Sequence, residues 1–540
     1  MQVDSPSDGL YWRLLDEPLI RWRCVARGEL HRASLPELMA AMVADDVRDF
    51  PALRPHQRHP WHAFLTQLAA IALHHCNQDQ PWTEAVDWRS ALLALTPDDP
   101  DGAAWCLVAP PQRPALLQAP MLKGIGSWDA DVRTPDRLDM LGTSKNHDLK
   151  RSRMHRFDPD DWLFALVSLQ TQAGSNSGSY KGISRMNSGA GSRPGVGVAQ
   201  RGEWGQRWQS DLRTLLRTRE KVADDYGFAS LGGLALTWLE PWDDSSSIGF
   251  SVLDPHYIEL CRRVRLQREC LEVVARTYKT PISRIQENAA RKGRTGDAWT
   301  PVDKEEEKIM SVPRGGFGYE RVTKLLIGES YLPSLTQSLV DWPEQVSLEL
   351  ICQGIAADGN SKTSGYHERR VPISPKLRRL LTGPQRVTVS EMAKRRIDAI
   401  ASLRSLLWSA LVLLFANGDG DNRKDSLKDR ASRFARPFEL REDSRFFDDL
   451  AIEVEAEDGN RQDIHIQWLQ GLAERAEVAL QQAFAAGPRS AMQRYKAQSA
   501  AMSRFHAGLR GAKPALPDLA YQYAQQRASH FKATEGDAHD

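Results

Sequence analysis

The sequence predicts an α+β protein: a large mixed N-terminal domain at residues 1–384, a C-terminal four-helix bundle at 385–532, and a disordered tail at 533–540. Three observations predict it. The chain opens with short alternating runs (LIRWRCVARGELHRASL), the period of half-buried strands, with a hairpin at Gly28. The mixed pattern ends at Gly383-Pro384. Beyond it, apolar residues recur at helical spacing with short polar breaks, as in antiparallel helices joined by short loops.

In order along the chain, the N-terminal runs pass into a helix beginning near Trp61. There Trp61, Phe64, Leu65, Leu68, Ile71 and Ala72 form a face expected to pack inward. Gly174 to Gly205 is rich in glycine, serine, asparagine and basic residues with few apolar anchors, which predicts a long ligand-contacting loop. Residues 261–294 hold ten Lys/Arg against three acids, in a chain whose formal net charge is only +1. Such a stripe is either a nucleic-acid contact or a solvated face balanced by acids elsewhere in the fold. Thr388 and Glu391 have the spacing of a capping box. Ile397, Ile400, Ala401, Leu407, Leu411 and Leu414 then make a stripe that Asn417-Gly418 stops, and further stripes span Ile464–Phe484 and Ala491–Leu509. No internal repeat is present.

A chain of 540 residues, 41% hydrophobic, is long and apolar enough for two or more folded domains. Its six cysteines form no CxxC pair, which excludes a cysteine zinc knuckle and argues for free thiols in a reducing cytoplasm. The acidic N-terminus lacks a basic n-region and apolar core, so no signal peptide is expected. The most apolar run, Ser405–Ala416, has 12 residues where a membrane span needs roughly 20. It predicts a buried helix and no membrane partner.

The motifs that carry chemistry fail on spacing. His56, His59, His62, His74 and His75 cluster, but no carboxylate or cysteine completes a metal set, so packing histidines are expected. His147-Asp148 matches the doublet of metal-dependent nucleases and phosphohydrolases, an alternative reading that lacks its further ligands. GSNSGSYKGISRMNSGAG does not fit the P-loop pattern, and Asp419, Asp421 and Asp425 lack the glycine and glutamate of a calcium loop. No catalytic residue, cofactor or metal is expected. The polar segment TSKNHDLKRSRMHR, Thr143 to Arg156, holds five Lys/Arg and one acid without a core-facing period, which suits phosphate contacts.

Several segments, in order, resemble one family. They are LLDEPLIRWR followed by SLPELMAAM, the helix from Trp61, the TSKNHD loop, the glycine/serine loop ending in Tyr180-Lys181, SSSIGF then PHYIELC, and LELICQGIAADGNSKTSGYHERR. Together, over about 500 residues, they resemble the large subunit of the type I-E CRISPR Cascade, the CasA family. The resemblance implies a non-catalytic subunit that finds a protospacer-adjacent motif (PAM) in double-stranded DNA from the minor groove. It would also help open the duplex for R-loop formation and offer a docking surface to a helicase-nuclease that does the cutting. Implied partners are the CRISPR guide RNA, target duplex DNA, and the backbone, handle-binding and small subunits.

Carried over by position, Gly178, Ser179 and Lys181 would approach the groove floor, and either Arg291 or Lys292 would be the PAM cation. Asn360, Lys362 and Thr363 would stand at the duplex-opening wedge, where the family has a glutamine and this chain is longer. Lys145, Asn146, His147, Lys150 and Arg151 would meet the RNA handle and a neighbouring subunit. The bundle would rest on the small subunits and guide the displaced strand. The zinc-binding cysteine cluster of some members is absent from this chain.

Overall fold

Alternation and helical period are realised as separate layers in a computed structural model. It describes residues 9–536 apart from 129, 142–153, 176–177, 188, 190, 203, 244, 271, 287–288, 329, 358–362 and 422–423. The chain forms two compact units: residues 1–317 with 324–373, and residues 318–323 with 374–540.

In the first unit, strands Ile20–Cys24 and Leu30–Ala33 pair antiparallel around a turn containing Gly28, with Ile20 opposite Ala33. The next helix, Leu35–Val43, starts at a capping box: the Ser34 side chain accepts from the Glu37 amide, and the Ser34 amide donates to the Glu37 carboxylate at 2.7 Å.

The helix expected from Trp61 spans Arg58–His75 and differs from expectation in being buried on every side from His59 to Leu73. It is a central helix, packed on helices Pro159–Gln172 and Trp204–Tyr226 and on strand Leu253–Ile258. Trp61 sits edge-on to Phe50 and Phe164. Some of its polar groups are satisfied internally, while both ring nitrogens of His59, Trp61 Nε1 and His62 Nδ1 have no hydrogen-bond partner among the described residues. His62 Nε2 lies 2.7 Å from Asp211, and Gln67 donates to the carbonyls of His256 and Tyr257.

The expected long loop from Gly174 to Gly205 is interrupted. Gly195–Gln200 is a strand, paired antiparallel with the central strand Leu348–Ala357, whose other neighbour is Thr363–Ile373. The glycines of GVGVAQ made a strand read as loop. Its burial along one long hairpin supplies what the composition did not.

The basic stretch divides. Arg263–Glu269 and Glu272–Tyr278 form a hairpin, and Arg262, Arg265 and Arg284 are buried. Arg265 donates to the carbonyls of Ala109, Pro110, Gln118 and Ala119. Burial lowers its pKa to about 9, and the guanidinium is held by carbonyl dipoles alone. Arg284 serves Thr237, Glu240 and Pro241 in the same way. These three side chains are therefore no part of an exposed electropositive stripe.

The second unit is helical: Pro375–Thr382, Arg386–Phe415, Asp425–Glu455, Arg461–Gln482, Ala491–Arg510 and Pro517–Gly536. The Thr388/Glu391 spacing does not cap a helix. The helix is already under way from Arg386, and its cap position is Gln385. Asn417 and Gly418, both at positive φ, follow its end as expected. Ion pairs to buried carboxylates tie neighbours together: buried Arg396 to Glu453 at 2.6 Å, and partly exposed Arg475 to Glu442 at 2.7 Å. Among the described residues, Arg386–Phe415 is the one helix long and apolar enough to cross a membrane by length and composition. Leu403, Leu407, Ala410, Leu411 and Leu414 from it are buried inside this unit. The last helix runs to Gly536, beyond the expected start of the tail at 533.

Candidate functional site

Helix Pro159–Gln172 ends in extended Ala173, and the glycine loop leaves from there. Its base is fixed by the backbone: Gly174 N–H donates to Gly191 O at 3.1 Å, and Ile183 N–H to Ala173 O at 3.1 Å. Its far limb is spliced to the end of the basic hairpin, with Lys181 N–H donating to Thr280 O and Thr280 N–H to Ser179 O. Buried Arg262 closes the loop from beneath. Its guanidinium donates to Gly174 O at 3.0 Å and to Lys181 O, the two limbs at once.

The glycines in this loop differ in kind. A side chain at Gly174 would strike Gly189 O, and one at Gly182 would strike the Ser175 amide, so the fold requires both. At Gly178, nothing lies within 4 Å of where a Cβ would be. Among the described residues, nothing requires a glycine there.

Beside the loop lies a cavity of about 430 Å³, lined among others by Ser175, Lys181, Ser184, Asn187, Arg291 and Lys292. Two distant segments singled out in the sequence thus meet at one opening. Its described lining carries three cationic side chains and no carboxylate. Ser184 is pinned by Glu259, which accepts from its amide and hydroxyl, and by Tyr257 Oη at 2.7 Å.

Arg291 lies over the Phe250 ring, 4.1 Å from the centroid, and its Nη1 is buried without a hydrogen-bond partner. Lys292 sits at φ +45° and gives one donor to Glu306 O at 2.7 Å. Strand Leu348–Ala357, which precedes the expected wedge in the sequence, is anchored to the same loop by hydrogen bonds. Gly191 O holds the glycine loop, while the next residue, Ser192, exchanges hydrogen bonds with Ile355.

Of the expected site residues, Lys181, Arg291 and Lys292 line this cavity, and Gly178 and Ser179 precede Lys181 in the glycine loop. Thr363 opens strand Thr363–Ile373 opposite Ala357. Asn360 and Lys362 fall outside the described residues, as do Lys145, Asn146, His147, Asp148, Lys150 and Arg151. Ser175, Ser184 and Asn187 fall within the segment read as a ligand-contacting loop but carry no motif that singles them out, and Arg262 was counted only in the basic stripe.

The N-terminal histidines do not gather. His56 Nε2 contacts Asp139 at 2.7 Å, and His62 contacts Asp211. Burial, with the Arg207 charge, lowers the His62 pKa to about 4 and puts His59 well below its ordinary value. Among the described residues, two other sets of potential metal ligands lie close together: Cys24, Glu29 and His31, and Asp158, Asp160 and Asp161. The second set surrounds the Arg21 guanidinium, which already supplies the positive charge.

No protein-family model matches the chain, and no curated protein matches it in sequence. Solved structures do match. CasA from Thermus thermophilus superposes with a TM-score of 0.63 at 15% identity, covering 94% of this chain and 100% of that one. Cse1 from Acidimicrobium ferrooxidans gives 0.59 at 16% identity, with 93% and 98% covered. A chain of a CRISPR RNA-guided surveillance complex gives 0.56 at 13% identity, with 92% and 99% covered. At such identities the agreement is one of backbone architecture, and it runs through both units from end to end: this chain has the CasA/Cse1 fold.

Proposed function

We propose that the chain is the large, non-catalytic subunit of a type I-E RNA-guided DNA surveillance complex, and that its PAM contact is built from the glycine loop and Arg291–Lys292. The observation that carries this reading is the convergence of those two segments on one cavity free of described carboxylates, within a fold shared with CasA along nearly the whole chain. A bare loop tip at Gly178 suits close approach to a minor-groove floor, and side-chain donors beside it suit the acceptors exposed there. Arg291 keeps an unpaired buried nitrogen, whereas Lys292 has committed one of its three donors. Each side chain therefore retains donors for a base edge.

In this reading residues 1–384 carry the DNA contacts. The segment with Asn360, Lys362 and Thr363 props the first base pairs open, and the segment with Lys145, Asn146, His147, Lys150 and Arg151 holds the guide-RNA handle. The bundle at 385–532 lies on the small subunits, and a partner nuclease docks on this subunit and cleaves the target.

The test is reconstitution with guide RNA and the other subunits, followed by target-duplex binding. Arg291→Ala with Lys292→Ala is expected to leave assembly intact and to weaken binding of PAM-bearing duplex at least tenfold, or about 1.4 kcal/mol. Unchanged duplex binding, or loss of assembly, would sink the assignment. Lys145→Ala, Lys150→Ala and Arg151→Ala together should release the subunit from the complex at lower salt.

A further inference from the structure

A second cavity, of about 360 Å³, lies in the same unit and is lined by side chains that the PAM reading leaves unused. Four arginines reach it: Arg23, Arg58, Arg207 and Arg370. Three of them have close carboxylates. Arg23 meets Asp49 at 3.1 Å, Arg370 meets Glu349 at 2.6 Å, and Arg58 and Arg370 share Glu368 at 3.2 and 2.9 Å.

Arg207 is different. Its nearest acid, Asp211, is 4.0 Å away from Nε. The same oxygen of Asp211 already accepts from Trp299 Nε1 at 2.8 Å and lies 2.7 Å from His62 Nε2. Arg207 Nη2 is buried without a hydrogen-bond partner. An arginine stays charged in a protein, and a buried donor left unmade costs about 1–3 kcal/mol. Arg207 therefore brings to the cavity a guanidinium whose ion pair is long and whose Nη2 donor is unmade.

The rest of the wall is mixed: Gln200 and Gln353 line it, as do Asp49 and Glu349, the acids paired with Arg23 and Arg370, and its apolar part is partly planar. Trp204 and Phe50 line it edge to face, 4.9 Å between ring centroids, with Leu53 and Ile351 beside them. The volume is within the roughly 300–1,000 Å³ of small-molecule sites and well beyond the need of a bare ion. Guanidiniums for a phosphate next to an indole for a ring are the two halves of nucleotide recognition.

We propose that this cavity binds a nucleotide, its phosphate held by Arg207 with Arg58 and Arg370 and its base laid against Trp204. The ligand is either a free nucleotide or one nucleotide of a single strand, since both present the same phosphate and ring. Arg58 uses one hydrogen bond, to Glu368, so most of its five donors remain for the phosphate.

Calorimetric titration of the purified chain decides it, with adenosine 5′-monophosphate, inorganic phosphate, and a 5′-phosphorylated RNA tetranucleotide as probes. At least one nucleotide probe is expected to saturate at one per chain, and inorganic phosphate to bind at least about tenfold more weakly. A tetranucleotide that binds more tightly than the monophosphate identifies a strand as the source, and equal affinity identifies the free nucleotide; both uphold the site. Arg207→Gln should weaken the nucleotide at least tenfold. Trp204→Leu should weaken it while leaving phosphate unchanged. If Arg207→Gln does not fold, Arg58→Ala, at a half-exposed position, is expected to weaken the nucleotide severalfold. Absence of saturation by either nucleotide probe, phosphate binding as tight as nucleotide binding, or indifference to these substitutions overturns the proposal.

Discussion

Arg262, Arg265 and Arg284 belong to the same basic stretch as Arg291 and Lys292, yet the two groups live in different environments. The first three are buried and have their guanidiniums turned onto backbone carbonyls of loops. The last two line an opening whose described wall has no carboxylate. Charge density along a sequence therefore says little about surface potential. An arginine that satisfies several carbonyls is a structural crosslink, because each carbonyl left unmade in the interior costs about 1–3 kcal/mol. A cation beside a cavity is available to a ligand.

The contrast breaks first at Arg265. Arg265→Met removes a donor from four carbonyls, of which those of Pro110 and Gln118 keep a backbone donor and those of Ala109 and Ala119 lose the guanidinium that serves them, and a loss of about 3 kcal/mol is expected from urea denaturation. A loss below about 0.5 kcal/mol, typical of surface changes, would mean the guanidinium is dispensable inside.

Acid sharpens the same point through other buried cations in waiting. Burial holds His62 and His256 at pKa values of about 4, against 6.5 for an ordinary histidine, so both are neutral in the fold. The unfolded chain protonates them as pH drops through 6.5. Their contribution is present above that value and is lost progressively towards pH 4, by up to about 1.4 kcal/mol per pH unit for each. Stability measured across this window should fall, and less steeply in His256→Asn.

Arg262→Met is expected to cost about 1–3 kcal/mol and, in addition, to weaken duplex binding by the reconstituted complex, because it frees both limbs of the glycine loop. A variant that loses stability yet binds duplex normally would separate the clamp from recognition. At the far end of the scale stands Gly178→Ala. With open space around it, stability should stay within about 0.5 kcal/mol while duplex affinity falls about tenfold. Unchanged affinity would remove the loop tip from the contact.

The sequence revealed much of the architecture wherever one face of an element was to be buried. The N-terminal hairpin at Gly28 and the stripe ending at Asn417-Gly418 were both legible from period and stop signals. It misled where burial was complete or side chains were small. The Arg58–His75 helix has no polar face, and GVGVAQ offered no large residue to mark a strand. The cavity was half legible: glycine composition marked one wall and basic residues the other, and only the family resemblance, not any spacing or motif, joined Lys181 to Arg291. Ser184 and Arg262 were invisible, since their roles depend on Glu259 and on Gly174, 75 and 88 residues away along the chain.

That separation sets an order of events. Arg262 cannot grip Gly174 and Lys181 until the chain has grown past it and the hairpin it precedes has docked. Closing so long a loop is slow compared with forming a helix. The glycine loop therefore acquires its shape late, after the helix that launches it, and a chain truncated before residue 262 would present that loop without its form.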